Sequence, residues 1–151
     1  MERTAARAVV RRDGELLMLR SRHGDYKFPG GGVDPDEPIS AALARELREE
    51  CGLDDATVGD LLFTTIELSQ AREPGAVFKM TSLYFDCMTS AAIGGQDLDD
   101  YERDLLLTPS WVTATEALRV NQGIQRNRRH HPDLPWLLRE IRILKLLDNH
   151  Q

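Results

Sequence analysis

Between Pro38 and Gly52 the chain is bound to form a helix, and that helix carries carboxylates on the side it must bury. Pro38 suits the first turn, where a missing N–H costs nothing. Asp36 and Glu37 put negative charge at the positive end of the helix dipole. Gly52 suits the left-handed position that ends a helix. The predicted helix runs from about Pro38 to Cys51. Ile39, Leu43 and Leu47 form its apolar stripe, at roughly 20°, 60° and 100° when angles are counted from Glu46. Glu50 falls near roughly 40°, inside that arc. Glu49 lies on its border beside Arg45, an i,i+4 pair, and Arg48 points to solvent.

An ordinary amphipathic helix accounts for Arg45, Glu49 and Arg48. It does not account for Glu46 and Glu50 on the core side, because an ionised carboxylate buried without a partner is strongly destabilising. Hydroxyl or backbone donors could satisfy them, or a cation could gather them. An oxygen-only ligand set suits Mg²⁺ or Mn²⁺ better than zinc. Phe28-Pro29-Gly30-Gly31-Gly32 leads into the helix. Its glycines permit close backbone approach and positive φ, so the loop can bring backbone groups to a metal or a phosphate.

The spacing Gly31, five residues, Glu37, seven residues, Arg45-Glu46-Leu47, one residue, Glu49-Glu50, one residue, Gly52-Leu53 matches the Nudix box at every defined position. The chain therefore resembles the Nudix hydrolases. The resemblance implies an α/β fold, a Nudix-type α/β/α sandwich with a mixed β-sheet, here with an added C-terminal helix. It implies Mg²⁺- or Mn²⁺-dependent hydrolysis of a nucleoside diphosphate linked to another group. Gly31, Glu46, Glu49 and Glu50 would hold the metal. Glu46 or Glu49 would also activate water. Arg45 would orient them, and Glu37 would brace the junction through Arg45. Many members add an acid from a distant loop, which the sequence does not identify here. The first-choice substrate is a nucleoside triphosphate, an oxidised one included, and ADP-ribose or another sugar nucleotide is the alternative. Outside hydrolysis stand a nucleotide-sensing domain and a metal-binding structural helix. The intact set of box glutamates argues against the sensing domain.

The 151 residues, 29% charged and 41% hydrophobic, suit a single domain over the whole chain. A net charge of −6 argues against nucleic acid as a partner and leaves a small nucleotide substrate open. Cys51 and Cys87 are the only cysteines, so a reduced cytoplasmic protein is expected. No signal peptide or run long enough to span a membrane is seen.

Residues 4–12 read as a strand, Asp13-Gly14 as a hairpin turn, and Glu15–Arg22 as the returning strand. Leu61–Leu68 and Val77–Met88 read as a second hairpin around Glu73-Pro74-Gly75. Arg20, at a strand end, is a candidate phosphate contact, against an exposed strand-end charge. Phe28, Tyr84, Tyr101 and Trp111 are aromatics that either stack on a base or fill the core; Phe28 and Tyr101 are retained as substrate candidates. Residues Ala91–Asp104, with acids at 97, 99, 100, 102 and 104, read as a solvated loop, or as a loop over the substrate that supplies the extra acid. Trp111-Val112 reads as a strand and Ala114–Val120 as a short helix capped by Thr113. The basic stretch Asn121–Pro132 reads as a mobile linker, and His130-His131 as a poor metal pair. Leu134–Leu147 reads as a helix with Leu134, Leu137, Leu138, Ile141 and Leu144 on one face. It would pack on the domain or make a subunit contact, which leaves a homodimer open.

Overall fold

Asp13 and Gly14, both at positive φ (52° and 80°), reverse the chain after its first strand. The computed structural model describes residues 1–127, 129 and 134–149. Strand β1 (Glu2–Arg12) pairs antiparallel with β2 (Glu15–Arg20), in register Arg12↔Glu15. The expected strand to Arg22 stops at Arg20, because Ser21 turns to accept the Gly24 amide. Short strands β3 (Tyr26–Lys27) and β4 (Gly30–Gly32) add to β2 and β1 respectively. The expected helix is α1 (Ile39–Cys51), with Pro38 extended just before it and Gly52 left-handed just after.

The second hairpin is β5 (Thr57–Gln70) and β6 (Val77–Met88), closed by a turn with Gly75 at φ 80°. Strand β6 lies parallel to β1, pairing Glu2↔Lys79 through Val10↔Cys87, and this makes the sheet mixed. A short helix α2 (Asp100–Asp104) leads into β7 (Thr108–Val112), which pairs antiparallel with β2. Helices α3 (Ala114–Arg126) and α4 (Leu137–Asp148) complete the described chain.

Alternation along β1 and β2 feeds two apolar cores, as a sheet between helical layers requires. Ala6, Ala8, Val10, Leu17 and Leu19 join Leu43, Leu47 and Cys51 of α1. Val9, Leu16 and Met18 join Phe28, Tyr84, Ile143, Leu144 and Leu147. The C-terminal helix thus packs on its own domain. Leu138, expected on its apolar face, is exposed, because the buried arc centres on Glu140, Ile143, Leu144 and Leu147.

The linker expected from Asn121 is corrected over Asn121–Arg126, which continues α3. Asn121 is buried and brackets Tyr26, accepting its N–H at 2.9 Å and donating to its C=O at 3.0 Å. Those two bonds satisfy the buried amide and give the Tyr26 backbone the partners that a neighbouring strand would have supplied. Arg128, His130 and His131 lie outside the described residues. Cys51 and Cys87 are both free and buried.

The end of α1 is sealed by segment 94–97. The Gly94 amide donates to Cys51 O (2.9 Å), the Asp97 amide to Glu49 O (2.7 Å) and the Gln96 side chain to Glu50 O (2.9 Å). These bonds satisfy carbonyls that a helix end otherwise leaves open. Gly52, at φ 66°, lies so close to Gly94 that a Cβ there would overlap its backbone. Gly52→Ala is therefore expected to cost about 1–3 kcal/mol in chemical denaturation. Faster amide exchange at Gly94 and Asp97 should accompany it. Unchanged stability would show that this contact is slack.

Candidate active site

Glu46, Glu49 and Glu50 stand on one helix, yet each has a different environment. Glu50 is 2% exposed, and its Oε1 accepts the Gly30 amide at 2.8 Å. Arg45 reaches outward along the same face, donating to Glu37 (3.0 Å), Glu46 (3.2 Å) and Glu49 (3.4 Å). It thereby ties the loop before α1 to two of the helix carboxylates. The hydrogen bond it donates to Glu37, more than the neighbouring charges, holds the guanidinium firmly protonated. Glu37 serves this contact and not the helix dipole, and no acid lies in the first turn of α1. Arg48 is exposed, as its helical angle requires.

A further carboxylate comes from across the chain. Asp99 caps α2 by accepting the Glu102 amide (2.7 Å), while the Glu102 carboxylate accepts the Asp99 amide (3.1 Å). This reciprocal box, with segment 94–97 fastened to α1, brings Glu102 to the box helix. One carboxylate oxygen each from Glu46, Glu50 and Glu102 lies within 4.8 Å of the others. Ala91–Asp104 is exposed over most of its length, as a solvated loop would be, yet hydrogen bonds to the end of α1 pin it and it reaches the carboxylates. The acid it supplies is Glu102, a residue that composition alone could not separate from its four acidic neighbours.

The cluster is strained as it stands. Burial pushes Glu46 up to about 7, against the pull of Arg45 and with repulsion from Glu102 and Glu49. Burial also holds Glu50 well above the ordinary carboxylate range, with Glu102 and Glu46 adding to it and the Gly30 amide opposing. A cation among the three would offset both effects. Gly31 lies against the same group: a Cβ there would come within 2.5 Å of Glu46 Oε1. A side chain there would push the Glu46 carboxylate out of its place. The oxygen-only donor set and this cradle fit a hard divalent cation.

The carboxylates and Gly30–Gly32 line a cavity of about 500 Å³, together with Arg45, Asp97, Leu98, Asp99 and Tyr101. Arg3, Arg7 and Lys27 line it as well. Tyr101, 60% exposed, is thus where a substrate contact would need it. Two other expected contacts are corrected. Phe28 is 1% exposed and meets Tyr84 edge-on, with ring centroids 5.5 Å apart, so it is core. Arg20 is exposed, lies over the Tyr26 ring at 5.7 Å and does not line the cavity. Trp111 is covered by Arg12, whose guanidinium carbon lies 4.6 Å from the ring centroid. Arg7 went unnoticed in the sequence, although a charge inside the apolar run Ala5–Val10 was a readable signal.

The NUDIX domain family model matches residues 1–134. The CTP pyrophosphohydrolase of Escherichia coli (strain K12) is 45% identical over 58 residues, which is 35% of this chain and 42% of that protein. The chain's match thus spans less than half of that relative's own length. The MutT protein of Methanosarcina mazei Go1 superposes with a TM-score of 0.62 at 23% identity, over 99% of this chain and 94% of that one. An ADP-ribose pyrophosphatase from Streptococcus suis 89-1591 superposes with a TM-score of 0.56 at 15% identity, over 75% of each chain. At these identities the structural likenesses carry the fold.

Proposed function

The chain belongs to the NUDIX domain family, and from that premise we propose that it hydrolyses a phosphoanhydride in a nucleoside diphosphate linked to another group. The carrying observation is the convergence of Glu46, Glu50 and Glu102 within one cavity. Glu46, Glu50 and Glu102 would hold Mg²⁺ or Mn²⁺, a set that takes Glu102 where the box alone suggested Glu49. The bound metal would supply Lewis-acid polarisation of the phosphate oxygens and charge neutralisation.

The chain's own groups do the rest. Glu49 stands outside the convergent three, beside Arg45, and accepts the proton of the attacking water. Arg45 fixes the direction of that carboxylate, and Glu37 fixes Arg45. Gly31 leaves room for the Glu46 carboxylate to face the cavity. Tyr101, at the exposed rim, offers a face for a base.

A nucleoside triphosphate is the first-choice substrate, supported by the named activity of the E. coli relative. The S. suis neighbour keeps ADP-ribose as the second choice. The same proposal takes the chain as one catalytic domain acting in the cytoplasm on small nucleotides. No helix among the described residues is long and apolar enough to cross a membrane.

The test is incubation with Mg²⁺ and a panel of nucleoside triphosphates, oxidised triphosphates, ADP-ribose, sugar nucleotides and dinucleoside polyphosphates. One strongly preferred compound, with turnover lost in EDTA and restored by Mg²⁺, is the expected result. Turnover that survives EDTA would reject the metal role. Silence across the panel, with the fold intact, would move the reading to a sensing domain.

A further inference from the structure

Arg3, Arg7 and Lys27 share a cavity with four glutamates, yet none of the three forms an ion pair among the described residues. Arg3, Ala5 and Arg7 alternate along β1, so strand pleating sets all three on the cavity side. Arg7 is 7% exposed. Its Nε donates to Ser82 Oγ at 3.3 Å. Its two terminal nitrogens have no hydrogen-bond partner among the described residues, and Arg7 lines the cavity. Lys27 carries its ammonium 4.2 Å from the centroid of the Trp136 ring, with no hydrogen-bond acceptor among the described residues.

A guanidinium nine-tenths buried with its fork unpartnered is costly unless something binds there. Burial disfavours the charge on both Arg7 and Lys27, Arg139 adds to this at Arg7 and Arg7 adds to it at Lys27, and the wholly buried Glu140 of α4 opposes it at both. A lone cation in the cavity would relieve the glutamates and aggravate Arg7 and Lys27. A lone anion would do the reverse. A ligand with anionic oxygens beyond a carboxylate-held cation satisfies both sets. A phosphate chain has that form, and an arginine fork matches two of its oxygens.

We infer that Arg7 and Lys27, with Arg3 at the rim, form a phosphate subsite for the oxygens of the substrate's phosphate chain that lie away from the carboxylate cluster. This rests on the hydrolase reading and adds to it the residues that grip the chain. Glu140, from residues beyond the 1–134 family match, would be a positioning residue for that grip.

The test uses the full chain and calorimetric binding of inorganic tripolyphosphate and an α,β-methylene nucleoside triphosphate in Mg²⁺. The Arg3→Ala/Lys27→Met variant keeps the buried side chains. Its affinity for both ligands should fall by at least about tenfold, with binding of Mn²⁺ alone within about twofold of wild type. Arg7→Lys, which keeps the charge and loses the fork, should weaken both ligands by roughly fivefold. A double variant that is folded by circular dichroism and binds tripolyphosphate like wild type would overturn the subsite. If that happens while wild type still hydrolyses nucleotides, the hydrolase reading stands alone. If wild type binds tripolyphosphate through these residues and hydrolyses nothing, the subsite stands and the hydrolase reading falls. Neither binding nor turnover in wild type would overturn both.

Discussion

Glu50→Gln is expected to lower turnover at least about a hundredfold, the equivalent of roughly 3 kcal/mol of transition-state stabilisation. The same change should make the metal-free protein more stable. Both effects have one cause. Glu50 is buried beside Glu46 and Glu102, so ionising it in the absence of a cation is unfavourable. Glutamine retains an oxygen for the Gly30 amide, which Glu50 accepts at 2.8 Å, and removes the charge.

The pH dependence follows from the direction of the shifts. Glu46 titrates near 7 in the folded state against an ordinary 4.5, and Glu50 is displaced the same way. The folded state then holds protons more tightly than the unfolded one. Stability from these groups is complete below pH 4.5 and is lost as the pH rises towards 7. The Tm advantage of Glu50→Gln over wild type in EDTA should be near zero at pH 4.5. By pH 7.5 it should reach on the order of 5 °C. Saturating Mg²⁺ should reverse its sign, because only wild type gains from binding. Taking the difference between the two proteins removes the opposite trend from Glu140. Wild-type turnover in the variant, or no pH dependence in the difference, would remove Glu50 from the metal site.

Glu140→Gln should damage stability most. The Glu140 carboxylate accepts the Phe28 amide (2.7 Å), the Tyr84 hydroxyl (2.7 Å) and Arg139 Nε (2.8 Å), with no exposure to water. Burial alone would push its pKa up, yet Arg139, Arg7 and these donors hold it below the ordinary range. A glutamine must turn an N–H towards one of those donors. It also removes the strongest counter-charge facing Arg7 and leaves Arg139, among the described residues, with only Glu67, at 3.0 Å. Breaking one partner of a buried charged set costs about 3–5 kcal/mol, or roughly 10 °C in Tm. Because the folded pKa is depressed, the wild-type advantage should be full at neutral pH and shrink as the pH falls through and below 4.5. A loss under about 1 kcal/mol would mean that α4 is held by apolar packing alone.

Helix α1 was legible because its evidence is local. Pro38, the stripe Ile39, Leu43 and Leu47, and Gly52 all act within the helix's own turns. The Asp13-Gly14 and Glu73–Gly75 turns were readable for the same reason, and their hairpins followed. The continuation of α3 past Val120 was not readable. It depends on Asn121 finding the backbone of Tyr26, 95 residues away in sequence. Arg20 and Phe28 were misplaced because strand position does not reveal which way a strand end or a buried ring turns.

The sequence by itself determined that one helix would present Glu46, Glu49 and Glu50 at its core-facing edge, tied through Arg45, because 3.6 residues per turn leaves no other arrangement. Only the tertiary structure decided which acid from the distant loop joins them, which cations face them and what lies beneath those cations. Glu102, Arg7, Lys27 and Glu140 reach the site through the capping of α1 by segment 94–97, the β1–β4 pairing and the docking of α4. Such contacts join residues that no short-range pattern links, and many pairings would satisfy the same local preferences. Packing selects the pairing that buries both apolar cores and gives the Glu140 carboxylate its three donors.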